Sequence, residues 1–157
     1  MKKQISFMLS TLFYVGYFPK APGTIGSFVS LFLIALINFN FGLIGLISLI
    51  IISFIIAMFS VSETLKYTKH DPSFVVIDEL IGQAVTFIFV SNFLMNNNDL
   101  LIYLFGFIFF RLFDILKPFP VSYADKQIKN AFGVILDDIL AGIYASICLL
   151  IMKIILY

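Results

Sequence analysis

The 157-residue chain contains no tryptophan, one histidine and one cysteine, and only 12% of its residues are charged. Each shortage excludes something. A single thiol, Cys148, can form no internal disulfide, and its apolar neighbours from Ala145 to Leu150 mark it as a packing residue rather than a nucleophile. The one histidine, His70, stands beside Asp71 in a polar stretch and reads as a solvated side chain. A net charge of +1 gives no basic footprint for nucleic acid. What fills the chain is hydrocarbon. Sixty-one per cent of residues are apolar, twenty are Phe and the mean hydropathy is +1.08, which indicates an integral membrane protein rather than a soluble globule. The length suits one domain, residues 1–157.

Apolar runs and their breaks predict the topology. The run from Ile25 to Ile37 is short, and Asn38-Phe39-Asn40 reads as a hairpin turn before a longer run from Phe41 to Val61. A polar stretch, Ser62 to Asp71, follows. Asp71-Pro72 is a helix-start signal, an N-cap with Pro at the first helical position, for a helix to Met95 that Asn96 to Asp99 ends. Leu100–Leu116 is the next run, closed by Lys117-Pro118-Phe119-Pro120. A polar connector, Val121 to Asn130, precedes the last span, Phe132 to Met152. The expected fold is all-α: a polytopic membrane helical bundle of about four to five membrane segments with an N-terminal interfacial helix. Met1-Lys2-Lys3 followed by Ile5 to Val15 resembles a signal peptide, but Pro19-Lys20-Ala21-Pro22 is a poor cleavage site, so the segment is expected to be retained. Lysines before the first run, after the second and in the connector all fall inside if the N-terminus is cytosolic, leaving Lys153 at the opposite side.

Against this background two acid pairs stand out, Asp78-Glu79 and Asp137-Asp138. An ionisable group in a membrane segment costs roughly 2.5–3.5 kcal/mol on insertion scales, and such groups commonly line an ion or substrate site. The predicted topology brings both pairs, with Arg111 and Asp114, to a similar depth on the cytosolic side, and leaves the outer half of each span apolar. Arg111, Asp114 and Lys117 are three apart and share a helix face, which alone suits a salt-bridge ladder. Asp78, Glu79, Asp114, Asp137 and Asp138 form a hard oxygen set, and against Arg111 and Lys117 they leave surplus negative charge that a divalent cation would resolve. Mg²⁺ or Mn²⁺ fits such donors better than zinc or copper. In the loop from Pro19 to Ser27, Thr24 or Ser27 is a candidate helix cap, and Gly26 would admit a phosphate near a helix start, although the Gly-Lys-Ser/Thr ending of a Walker loop is absent. With too few histidines for a histidine nucleophile and no thiol in an anion loop, the chemistry left for phosphate is metal-activated water.

Four blocks carry a resemblance: Pro19 to Ser27 (PKAPGTIGS), Asp71 to Gly82 (DPSFVVIDELIG), Arg111 to Pro120 (RLFDILKPFP) and Gly133 to Gly142 (GVILDDILAG). In this order they resemble the signature blocks of the phosphatidylglycerophosphatase A family. The resemblance implies a Mg²⁺-dependent phosphatase of the bacterial inner (cytoplasmic) membrane, multi-pass, with its site facing the cytosol. It would remove the terminal phosphate of phosphatidylglycerophosphate, a phospholipid substrate in the membrane. It implies that Asp78, Glu79, Asp114, Asp137 and Asp138 act as metal ligands and catalytic acids, and that Lys20, Thr24, Gly26, Ser27, Arg111 and Lys117 hold the substrate. Two other readings compete. A CDP-alcohol phosphotransferase would place its last two Asp four apart, whereas these pairs are adjacent. A small ion or proton transporter would spread its carboxylates through the bilayer depth rather than gather them at one side.

Overall fold

The computed structural model describes residues 2–68, 72–97 and 99–156. Among these there are seven α-helices and no strand. They are α1 (Lys2–Ser10), α2 (Pro22–Thr64), α3 (Ile77–Thr86), α4 (Ser91–Asn97), α5 (Leu100–Leu116), α6 (Val121–Gln127) and α7 (Ala131–Leu156). Two helices, α2 and α7, are long and apolar enough to cross a membrane, and α3 with the segment Ile88–Met95 passes as a third, bent by 41°. Large side chains such as Ile44, Phe41 and Ile155 are exposed on the outside, an apolar surface suited to lipid. Lys69, His70 and Asp71 lie outside the described residues.

Helix α2 is not straight. Gly42 has φ 54 and ψ −144, a backbone that glycine adopts readily. Both ends of α2 pack against the start of α3: Gly26 lies against Val76, while Ala57 and Val61 share a cluster with Ile77 and Ile81. At a rise of about 1.5 Å per residue, a straight helix would hold Gly26 and Val61 roughly 50 Å apart. The helix therefore folds back at Gly42, two residues beyond the predicted Asn38–Asn40 turn. Helical structure also starts earlier than the apolar run, at Pro22, so the first arm reaches about 30 Å and is not a short segment. Asn38 is buried: its amide donates to the Ser91 carbonyl at 3.2 Å and to the Tyr103 hydroxyl at 3.4 Å, and Ser91 Oγ donates back to Asn38 Oδ1. The outer half is thus not uniformly apolar, because Asn38, Ser91 and Tyr103 form a buried polar cluster there.

Two further expectations are corrected. The predicted helix from Pro72 begins at Ile77, because Pro72 to Val76 form a turn whose Val76 N–H donates to the Ser10 carbonyl at 2.9 Å. That helix does not run unbroken to Met95, since a 3-10 turn at Ile88–Val90 interrupts it. The polar connector holds a short helix, α6 (Val121–Gln127). Asp99 caps α5 by accepting from the Leu101 and Ile102 N–H groups.

What positions the acids is the crossing of α3 and α7. A Cβ at Gly82 would lie 2.5 Å from the Asp138 carbonyl oxygen, and one at Gly142 would lie 2.3 Å from the Gly82 carbonyl oxygen. Lipid supplies no hydrophobic drive between helices, so close backbone packing at small residues carries much of their association. This crossing sits one turn beyond Asp78-Glu79 and level with Asp137-Asp138, which places the two pairs beside each other.

Candidate active site

The start of α3 sets the first pair. Because the helix begins at Ile77, Asp78 and Glu79 occupy its first turn, where the macrodipole favours carboxylates. Asp137 and Asp138 lie two turns into α7, and all four side chains are buried. They line a cavity of about 470 Å³ together with Asp114, Arg111 and Lys117. Pro22, Gly23 and Thr24 at the N-terminus of α2 form another part of its wall. The first hydrogen bond back into that helix runs from the Ile25 N–H to the Ala21 carbonyl, 3.1 Å. Amides preceding it in a helix have no intrahelical acceptor and attract anions.

Arg111 organises one side. Its Nη1 lies 2.7 Å from Asp114 and 3.2 Å from Glu79, and donates to Ser27 Oγ at 3.3 Å. Ser27 Oγ donates in turn to Glu79 at 2.6 Å. The guanidinium Nε is buried and unpartnered. Lys117 organises the other side. It has left the helix, with a left-handed backbone at the C-cap of α5, and its Nζ donates to Asp125 at 2.6 Å and Asp137 at 2.7 Å. The expected ladder on one helix face is therefore not formed beyond Arg111 and Asp114. Burial alone would lower the Lys117 pKa, but its bonds to Asp125 and Asp137 hold it above the usual lysine range.

Five cavity carboxylates face two cations, and Lys117 is shared with Asp125 outside the cavity wall. Asp114, Asp137 and Asp138 each offer a carboxylate oxygen, all within 4.8 Å of one another. Oxygen donors at that spacing with surplus negative charge suit a hard divalent cation.

The other expected residues distribute unevenly. Thr24 lines the cavity, but it lies inside α2 and the N-cap is Ala21, so neither Thr24 nor Ser27 caps the helix. Ser27 sits behind the wall and supports Glu79. Gly26 is outside the cavity, and the space of its missing Cβ is filled by Val76, at 2.7 Å, rather than left for a phosphate. Lys20 is exposed in the loop before α2 and is not among the lining residues. Cys148 is half-buried between α5 and α7, far along both helices from the acids.

The family described as phosphatidylglycerophosphatase A matches residues 8–153, a span that takes in every residue of the cavity wall. The chain belongs to the phosphatidylglycerophosphatase A family. Proteins named phosphatidylglycerophosphatase A from Haemophilus influenzae and Escherichia coli are similar to it. The first is 31% identical over 141 residues, covering 89% of this chain and 83% of the relative. The second is 29% identical over 141 residues, covering 88% and 78%. A Bacteroides thetaiotaomicron protein, provisionally named a phosphatidylinositol-3-phosphatase, is 31% identical over 144 residues, covering 89% and 88%. No solved structure matches. Membership of the phosphatidylglycerophosphatase A family makes the protein a lipid phosphatase. Three residues of this family member were given no site role from the sequence: Gly23, whose added Cβ would meet Glu79 Oε1 at 2.2 Å; Asp125, the second partner of Lys117; and Ser73 in the cavity wall. Only Asp125, a lone acid in a connector rich in lysine, left a readable signal.

Proposed function

We propose that the protein hydrolyses the terminal phosphomonoester of phosphatidylglycerophosphate, yielding phosphatidylglycerol and inorganic phosphate. The observation that carries the reading is the convergence of five carboxylates, Arg111, Lys117 and the α2 N-terminus on one cavity. Such a site offers cations and amides for phosphate oxygens and a surplus of acids for a metal. The names of the Haemophilus and Escherichia relatives supply the substrate.

In this reading Asp114, Asp137 and Asp138 hold Mg²⁺, with Asp78 and Glu79 completing the acidic wall. The ion, when bound, neutralises phosphoryl charge and lowers the pKa of water. Arg111 and Lys117 bind phosphate oxygens, the first as a fork and the second as a point charge. Glu79, tied to Ser27 and Arg111, fixes the orientation of the guanidinium. Gly23 and Thr24 present amides to the headgroup. Lys20, exposed outside the wall, is left to attract anionic lipid from the surface.

The two arms of α2, the bent α3–α4 pair, α5 and α7 make five passes across the bacterial inner membrane. The cavity end carries Lys2, Lys3, Lys20, Lys66, Lys117, Lys126 and Lys129, which supports a cytosolic orientation. No observation favours a transporter: the buried Asn38–Ser91 pair beyond the cavity is uncharged.

The test is phosphate release by the purified protein from phosphatidylglycerophosphate, phosphatidylinositol-3-phosphate and phosphatidic acid, with Mg²⁺ and with excess EDTA. Release from the first lipid that EDTA abolishes is the expected result. Undiminished turnover in EDTA refutes the metal assignment, and preference for another lipid in the panel refutes the substrate.

A further inference from the structure

Arm one of α2 and helix α5 run antiparallel, and their contacts climb away from the cavity in step. Arg111 reaches Ser27 at 3.3 Å, and Phe28 meets Phe107 edge to face at 6.1 Å. Beyond that ring pair a second cavity opens between the same helices. It holds about 530 Å³, is lined by Leu31, Phe32 and Ala35 on α2 and by Leu100, Tyr103 and Leu104 on α5, and is almost wholly apolar. From Thr24 to Ala35, and from Arg111 to Leu100, eleven residues rise about 16 Å. That is about half of a hydrocarbon core roughly 30 Å thick, the depth of one leaflet.

We infer that this groove holds an acyl chain of the phosphate-bearing lipid, so that the substrate enters sideways from the membrane between α2 and α5 with its phosphate in the polar cavity. The inference rests on the lipid-phosphatase reading above. Three observations favour this occupant. The groove shares both walls with the polar cavity, its far end lies about one leaflet's depth from that cavity, and its volume lies in the range of small-ligand clefts. A comparable apolar hollow between α5 and α7, at Phe105, Phe109 and Cys148, also shares its helices with the polar cavity, but it extends to Leu156, about 27 Å along α7 from Asp138 and well beyond one leaflet.

Filling the groove tests this. Ala35→Phe and Leu31→Trp would be assayed in dodecylmaltoside micelles against dipalmitoyl phosphatidylglycerophosphate and against the same headgroup stripped of its acyl chains. Cys148→Phe, in the other hollow, is the control. The expected result is a roughly tenfold lower kcat/KM on the diacyl lipid, about 1.4 kcal/mol, carried by KM with kcat retained. Rates on the deacylated headgroup should stay unchanged in all three variants. Equal losses on both substrates would make the groove a packing feature and overturn the inference, as would plug variants that leave lipid turnover intact. A lipid-selective loss in Cys148→Phe instead would move the chain to the α5–α7 side. If the unaltered protein cleaves neither substrate, the phosphatase reading itself fails and takes this inference with it.

Discussion

Replacing Asp138 by Asn should make the metal-free protein more stable while ending its activity. The substitution is nearly isosteric and removes one negative charge from a site with too many. The carboxylate oxygens of Asp114, Asp137 and Asp138 lie within 4.8 Å of one another. At an effective dielectric near 20, each such pair repels by about 3.5 kcal/mol. Asp114 has Arg111 and Asp137 has Lys117, but among the described residues no cation pairs with Asp138. The two neighbouring cations offset part of the repulsion, so the net relief should be about 2 kcal/mol. For a chain of this length that corresponds to a rise of roughly 4–8 °C in apparent melting temperature.

The assay is thermal unfolding in micelles, run in EDTA and in excess Mg²⁺, beside phosphate release. The unaltered protein should gain about 2.7 kcal/mol at a Mg²⁺ concentration 100 times the dissociation constant. Asp138→Asn should start higher in EDTA, gain little from Mg²⁺ and release no phosphate. A lower melting temperature in EDTA would mean that Asp138 ties helices together, and the charge argument would be wrong. An undiminished Mg²⁺ response would remove Asp138 from the ligand set.

Gly82→Ala should cost about 1–3 kcal/mol by overpacking, because its Cβ would meet the Asp138 carbonyl at 2.5 Å, and it should slow turnover by shifting the acid pairs. Unaltered melting and unaltered rate together would show that the crossing does not set the site. Lys117→Met should lose about 1–3 kcal/mol by stranding Asp125 and Asp137, and a Lys117→Met, Asp125→Asn double variant should regain part of that stability without activity. Recovery of phosphate release in the double variant would argue against a substrate role for Lys117. Removing Mg²⁺ should speed amide exchange around Gly82 and Gly142 more than around the Asn38–Ser91 contact; uniform exchange would count against coupling between metal and the α3–α7 crossing.

The acids were legible in the sequence because charge in an apolar run has a cost that local context displays. Asp78-Glu79 and Asp137-Asp138 needed no neighbour to look misplaced. What the sequence hid was long-range pairing. Asp71-Pro72 is a sound start signal, yet the backbone from Pro72 to Val76 is claimed by α1 through the Ser10 carbonyl, so α3 starts five residues later. Asn38 looked like a turn residue and is instead a buried partner for Ser91, which moved the bend to Gly42. Gly26 suggested a phosphate cradle from its place in a glycine-rich loop, but Val76 occupies its open side, while Gly23, three residues earlier, faces Glu79. No period of 3.6 records which helix will lie across a glycine.

The same crossing gives a physical reason for the proposed cation. Gly82 and Gly142 let α3 and α7 approach at backbone contact, and that closeness brings four carboxylates from the two helices to one cavity wall. In lipid the attraction between these helices comes from packing, since the surrounding hydrocarbon is no worse a solvent for their apolar faces. Repulsion among the acids works against that packing over the same few ångströms. Arg111 and Lys117 approach from α5 and its C-cap, each shared between two acids, so they reduce the conflict without removing it. A divalent ion held by Asp114, Asp137 and Asp138 would join α5 to α7 and relieve the acid surplus in one step. The proposed metal would then be a structural tie between helices as well as a chemical centre, and removing a single carboxylate would separate the two roles only if stability were measured alongside rate.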